Sequence, residues 1–165
     1  MMRALALVCA FSTLAQCEPL NVPFVRQEKN GCGAASVAMV TQYWSKDAPS
    51  PHAIYERLID PKHKGIELAA MKRYLEEIGF QAFTLRGQWS DLEQHIAKGR
   101  PIIVSLQAAR TKRLHFAVLV GLERDHVWLN DPTRKAAHRA DREKFEKQWA
   151  GAKYWMLLAT PRTRP

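Results

Sequence analysis

The 165-residue sequence predicts an α+β fold in which N-terminal helices pack on an antiparallel β-sheet. Two observations support this fold class. Segments with helical periodicity and helix caps come first, and short apolar runs bounded by turn residues come last. That order is typical of helices laid on a separate antiparallel sheet. The length and the 47% share of hydrophobic residues suit one domain with a substantial core.

Residues 1–17 differ from the rest of the chain and are typical of a secretory signal peptide. The segment has positive, apolar and small-residue parts in the expected order: Met1-Met2-Arg3, Ala4–Leu14 and Ala15-Gln16-Cys17. The apolar part is too short to cross a bilayer. We therefore expect a signal peptide over 1–17, a mature domain over 18–165 and a protein that is exported, either periplasmic or secreted. The alternative is a lipoprotein anchored through Cys17, although Gln16 is unfavourable before a lipidated cysteine.

Five helices are expected in the mature chain. They run from Cys32 to Trp44, from Ser50-Pro51 to Ile59, from Glu67 to Ile78, from Ser90 to Lys98 and from Asp141 to Trp149. The first is apolar nearly all round, as a buried central helix is. The second begins with a serine cap and a proline at its first helical position. Ser90-Asp91-Leu92-Glu93 is a capping box that predicts the start of the fourth helix.

Five strands are also expected. They run from Phe80 to Leu85, from Pro101 to Leu106, from His115 to Val120, from His126 to Leu129 and from Tyr154 to Ala159. The first alternates its side chains between two faces, whereas the second is continuously apolar, as a buried strand is. Leu122-Glu123-Arg124-Asp125 has the length of a hairpin connection. The third and fourth strands are therefore predicted to pair as an antiparallel hairpin.

Cys32 is a candidate nucleophile. It begins the apolar helix, where the partial positive charge of the helix end favours thiolate over thiol. After removal of residues 1–17 it is the only cysteine, and an unpaired thiol is unusual in an exported protein. Gln27 lies five residues upstream and is placed to aim its amide at a developing oxyanion. The alternative is an inert buried cysteine.

His115 and Asp131 are candidates for the base and for the group that orients it. His115 begins one strand of the predicted hairpin, and Asp131 follows the end of the other. The pairing places both residues at the same edge of the sheet. Each also has a structural alternative, His115 as a strand-end residue and Asp131 as the start of a turn. A zinc site formed with Cys32 would lack the close paired ligands that zinc sites usually show.

Three blocks of the sequence resemble those of the peptidase C39-like family, papain-like cysteine peptidases best known as the processing domains of bacteriocin exporters. The blocks are Gln27 with Cys32-Gly33-Ala34-Ala35, His115-Phe116-Ala117-Val118-Leu119-Val120-Gly121 and Asn130-Asp131-Pro132. The match covers nearly all of residues 22–160. The chain has no Gly-x-x-x-x-Gly-Lys phosphate loop, so neither transport nor ATP use is implied.

The resemblance implies a papain-like fold with Cys32 as nucleophile, His115 as base, Asp131 as its orienting partner and Gln27 as oxyanion donor. It also implies a peptide or protein substrate and no cofactor or metal. Two other functions stay open on the same fold. One is a non-catalytic module that binds peptides, and the other is an amidase or transpeptidase acting on cell-wall peptides, because an acyl-enzyme can pass to water or to an amine.

The formal net charge of +9 includes Arg3, which would leave with the signal peptide. This basic balance is compatible with peripheral contact with an anionic envelope surface. No aromatic-interleaved basic motif indicates nucleic-acid binding. Later apolar runs are broken by charge, so no integral membrane segment is expected after signal removal. Arg110, Lys112 and Arg113 precede His115 and either line a cleft that favours acidic substrates or form a solvated loop.

Overall fold

The computed structural model describes residues 18–60, 62 and 65–162, so the predicted signal peptide lies outside the described residues. Within the described part the elements are α1 (Cys32–Trp44), α2 (Pro51–Leu58), α3 (Leu68–Glu77), β1 (Phe80–Arg86), α4 (Trp89–Ala97), β2 (Ile102–Gln107), β3 (Leu114–Leu122), β4 (His126–Asn130), β5 (His138–Asp141), α5 (Arg142–Gly151) and β6 (Trp155–Pro161). All the predicted helices and strands are present. None of these helices is long and apolar enough to cross a membrane.

The strands form one sheet in the order β1-β6-β2-β3-β4-β5, and every neighbouring pair is antiparallel. The predicted α+β class is therefore confirmed. β3 and β4 form the expected hairpin, in which Val118 lies opposite Asn130. A register shift between Leu119 and Gly121 interrupts their pairing. The hairpin brings the start of β3 and the end of β4 to one edge of the sheet.

Helices cover both faces of this sheet. Along β2, Ile103 packs with α1, α2 and α3 in what we call the first core. Its neighbours Ile102 and Val104 point to the other face and pack with α4 and α5 in the second core. The sequence predicted the N-terminal helices on the sheet but not the second helical layer. Strands that alternate between two apolar environments explain why β2 is continuously apolar.

The starts of two helices test the capping predictions. Ser50 caps α2 as predicted, since its hydroxyl accepts a hydrogen bond of 3.2 Å from the Ala53 N–H. The predicted capping box at Ser90 is wrong, because Gln88 is the cap of α4. The carboxylate of Asp91 accepts a 2.7 Å hydrogen bond from the Gln88 N–H. An acidic residue at the third helical position thus fixes the start two residues earlier than the serine suggested.

β5 is a strand that the sequence did not predict. Its four residues, His138–Asp141, carry no alternating apolar pattern. They pair with β4 at the edge of the sheet, where Leu129 lies opposite His138. Backbone pairing with an existing hairpin is enough to form a short polar edge strand.

Candidate active site

Cys32 lies half-buried at the N-terminus of α1, against the start of β3. The two flanking glycines allow this close packing. A Cβ added at Gly33 would lie 2.9 Å from Met71 Sδ and 3.0 Å from Ile66 Cγ2, and one added at Gly31 would lie 2.8 Å from the Tyr55 ring. A side chain at either position would therefore force a shift of α1 or of the side chains packed against it.

The structure brings Cys32, His115 and Asp131 together. His115 Nε2 donates a 2.8 Å hydrogen bond to Asp131 Oδ1. The side chains of His115 and Asp131 are 26% and 12% exposed, so this bond is largely shielded from water. The Cys32 thiol is hydrogen-bonded to the same imidazole. Because Nε2 carries the proton shared with Asp131, Nδ1 is the ring nitrogen left for Cys32.

The carboxylate of Asp131 is fixed by its own loop as well. Thr133 donates two hydrogen bonds to Oδ1, one of 2.9 Å from its backbone N–H and one of 2.7 Å from its hydroxyl. Arg134 Nε lies 3.4 Å from Oδ2. Burial raises the pKa of Asp131, but His115 and Thr133 outweigh burial and hold it at about 2. Asp131 is therefore an anion that faces His115 in a set orientation.

The protonation states of the other two residues follow from these contacts. Burial lowers the pKa of His115, but the hydrogen bonds with Asp131 and Cys32 outweigh burial and raise it to about 9. Burial raises the pKa of the Cys32 thiol, yet His115 and the backbone amides of Phe116 and Gly33 bring it below its usual 9.0. Between the lowered thiol pKa and about pH 9, the arrangement favours a thiolate beside an imidazolium.

Gln27 lies in the wall of the same cavity as Cys32. Its backbone N–H donates a 3.2 Å hydrogen bond to the Pro132 carbonyl, which ties the segment before α1 to the Asp131 loop. Its Oε1 atom is buried and has no hydrogen-bond partner among the described residues. The backbone of Gln27 is thus fixed beside the Asp131 loop, and the residue lines the cavity that contains Cys32.

The cavity beside Cys32 has a volume of about 550 Å³. Besides Cys32, Gln27 and His115 it is lined by Asn30, Gly65, Ile66, Glu67, Leu68, Ala108, Arg113, Leu114 and Phe116. Of the three basic residues predicted near the cleft, Arg113 lines it, whereas Arg110 and Lys112 do not. Leu114 is 49% exposed, an apolar side chain open to a ligand. The volume and mixed lining suit a segment of extended peptide.

No pattern in the sequence indicated the wall formed by Ile66, Glu67 and Leu68. Ile66 and Glu67 precede α3 and Leu68 begins it, and they reach the site because α3 packs beside α1. Among the described residues no three His, Cys, Asp or Glu side chains are grouped so as to hold a metal ion.

Comparison with known proteins adds independent findings. Residues 19–155 match the model of the Peptidase_C39 like family. The chain is 30% identical over 133 residues to a protein of Pseudomonas fluorescens named "Probable functional amyloid protease FapD", covering 76% of this chain and 56% of that protein. It therefore spans little more than half the length of that relative.

Two solved structures have the same fold. One is a double glycine motif protease from an AMS/PCAT transporter in complex with the leader peptide, with a TM-score of 0.67, 23% identity, and coverage of 87% of this chain and 94% of that one. The other is the peptidase domain of Streptococcus ComA, with a TM-score of 0.67, 19% identity, and coverage of 84% and 98%. At these identities the likeness concerns the fold.

Proposed function

Since this chain belongs to the peptidase C39-like family, we propose that it is an exported cysteine peptidase that hydrolyses peptide bonds through Cys32, His115 and Asp131. The observation that carries the proposal is the hydrogen-bonded series from Cys32 through His115 to Asp131. It supplies a nucleophile, a proton carrier and an orienting anion in the order that thiol catalysis requires. Export is proposed from residues 1–17, which have the features of a signal peptide.

In the first half of the reaction the Cys32 thiolate attacks the carbonyl carbon of the scissile peptide. The electron pair of the carbonyl moves to its oxygen, which faces the Gln27 amide and the backbone N–H of Cys32. That N–H belongs to the first turn of α1, where helical N–H groups have no helical acceptor. Both donors stabilise the charge that develops on oxygen. The His115 imidazolium then protonates the leaving nitrogen, and the C–N bond breaks to leave a thioester on Cys32.

In the second half a water molecule attacks the thioester carbon while His115 accepts its proton. The tetrahedral intermediate collapses, the C–S bond breaks, and the carboxylic acid product leaves. Cys32 returns to the thiolate and His115 to the imidazolium. Asp131 keeps the ring oriented through both halves, because its Oδ1 holds Nε2 while Nδ1 exchanges the proton.

The substrate is proposed to be a polypeptide. A cavity of about 550 Å³ accommodates several residues of an extended chain but does not enclose a folded domain. The relative from Pseudomonas fluorescens is named a probable functional amyloid protease. We extend that name to this chain as the substrate class to test first, namely a subunit or accessory polypeptide of an exported amyloid.

Active-site labelling tests the mechanism without knowledge of the substrate. Purified residues 18–165 are treated with a peptidyl vinyl sulfone, and the modified residue is identified by mass spectrometry. We expect rapid labelling at Cys32 that is lost in Cys32→Ala and strongly slowed in His115→Ala. His126→Ala is the matched control, because His126 lies at the opposite end of β4 from Asp131.

The same experiment separates a binding module from an enzyme. In a non-catalytic binding module the pKa of the Cys32 thiol would stay near its usual 9.0, and labelling would not depend on His115. An amidase or transpeptidase would label equally well. It is recognised by turnover of cell-wall peptides, or by incorporation of an added amine into the product.

A further inference from the structure

A second cavity, of about 200 Å³, adjoins the candidate active site. Its wall contains His115 and Asp131 but neither Cys32 nor Gln27. It meets the larger cavity at His115 and Ala108, which line both. A polypeptide lying across Cys32 can therefore extend into two separate spaces, one on each side of His115.

The proposed reaction places the two halves of a substrate in different cavities. The acyl half is bonded to Cys32 and points its oxygen toward Gln27, and both of these residues belong to the larger cavity. The leaving half begins at the nitrogen that receives a proton from His115. The second cavity borders His115 and includes neither Cys32 nor Gln27, so it is placed to receive the residues after the scissile bond.

The lining of the second cavity is cationic. Arg134 has its Nε 3.4 Å from Asp131 Oδ2 and its Nη1 3.5 Å from His138 Nε2. A guanidinium has five N–H donors, and these two contacts leave others for a ligand. Burial, Arg134 and Lys135 lower the pKa of His138, so it accepts from Arg134 as a neutral ring. The negative charge of Asp131 is already paired with His115.

Resting on the proposed peptidase function, we propose that this cavity is a binding subsite for a carboxylate in the leaving half of the substrate, with Arg134 as its specificity-determining residue. The carboxylate belongs either to an Asp or Glu side chain at the first or second position after the scissile bond, or to the C-terminus of a short leaving segment. Arg134 pairs with it, while Gln148 offers a further polar group in the same wall. Arg113 belongs to the other cavity and acts on the acyl half.

The test uses residues 18–165 and a proteome-derived peptide library whose cleavage sites are read by mass spectrometry. Cleavage that is absent from Cys32→Ala defines the sites of this enzyme. We expect Asp and Glu to be enriched over Asn and Gln at the first two positions after the cut. Matched peptides that differ by Glu and Gln at the preferred position then give two values of kcat/KM. Their ratio should be about three to five in favour of Glu, as for a partly exposed charge pair.

Variants of Arg134 test whether this residue recognises the carboxylate of the substrate. Arg134→Gln should bring the ratio close to one, Arg134→Lys should keep a preference for Glu, and Arg134→Glu should favour Lys over Glu at the same position. A purely structural effect on Asp131 would lower both rates together and leave the ratio unchanged. Arg86→Gln is the control with the same change of charge, because Arg86 is exposed on β1, separated from β3 by β6 and β2.

Peptides with a free or an amidated C-terminus separate the two sources of the carboxylate. A preference for the free acid in short leaving segments indicates the terminal group, and a preference for internal Glu indicates a side chain. Equal cleavage of Glu and Gln peptides and of acid and amide forms, with Cys32-dependent activity present, overturns the subsite but not the peptidase. Absence of any Cys32-dependent cleavage overturns the proposed function itself.

Discussion

Replacing Asp131 by Asn removes one charge from the candidate site and keeps the shape of the side chain. An amide oxygen can still accept the hydrogen bond that His115 Nε2 donates over 2.8 Å. The negative charge that favours the imidazolium is lost. In the native protein the pKa of His115 rises from 6.5 to about 9, which corresponds to about 3 kcal/mol in favour of the charged ring. Asp131 and Cys32 share this effect, so Asp131→Asn should lower the pKa of His115 by about one to three units.

Histidine-selective NMR measures this change without a substrate. The ring carbon signals of 13C-labelled histidine are followed from pH 4 to about 10.5, and His115 is assigned with the His115→Ala variant. Titration of His115 near pH 9 in the wild type, and between about pH 6 and pH 8 in Asp131→Asn, is the expected result. His52 should be unaffected because it is exposed and pairs with Glu28. If His115 titrates near pH 9 in both proteins, Asp131 is not what holds its proton.

The same variant should change how folding stability depends on pH. The raised pKa of His115 contributes stability that is complete below 6.5 and lost as the pH rises to about 9. The lowered pKa of Asp131 contributes stability that is present above 3.8 and lost as the pH falls to about 2. The difference in unfolding free energy between wild type and Asp131→Asn should be largest between these two windows. Urea denaturation across the pH range measures it, and a difference that is constant with pH would contradict the assigned shifts.

Three further variants test single contacts. Gln27→Ala should lower kcat by about a hundredfold to a thousandfold with little change in KM, as loss of one oxyanion donor does; an unchanged kcat in peptide hydrolysis would remove Gln27 from that role. Gly33→Ala should cost about 1–3 kcal/mol in urea denaturation, because its Cβ would lie 2.9 Å from Met71 Sδ. Thr133→Val removes the 2.7 Å hydroxyl bond to Asp131 and should cost about 1 kcal/mol; Thr133→Ser should restore it, and equal losses in both variants would show that the hydroxyl is not involved.

The features that were predictable from the sequence are those fixed by short-range patterns. The hairpin follows from two apolar strands and a short connection, and antiparallel pairing then places His115 and Asp131 at one edge whatever the rest of the chain does. The position of Cys32 follows from an apolar helix that begins there. Local sequence patterns therefore predicted that three of the candidate residues lie at the ends of neighbouring elements.

The remaining walls of the site depend on packing between distant elements. Ile66 reaches the larger cavity because α3 lies against α1, and no local feature of the sequence indicates that contact. The wall of the second cavity is formed partly by β5, whose polar residues do not show the alternating pattern of a strand. Because β5 was not predicted, the sequence did not indicate that the segment carrying Arg134 lies beside the sheet. The surfaces that select a substrate were thus less predictable than the residues proposed to act on it.

The two cores on opposite faces of the sheet give the candidate site a further property. Cys32 packs against the first core, whereas His115 lies across from Leu106, which belongs to the second. The groups that lower the thiol pKa are His115 and the backbone amides of Phe116 and Gly33, so they act together only when α1 is packed on β3. In the unfolded chain the Cys32 thiol keeps its ordinary pKa and has no imidazole beside it. In the protein without residues 1–17, the reactivity of the single cysteine is therefore an internal reporter of complete folding.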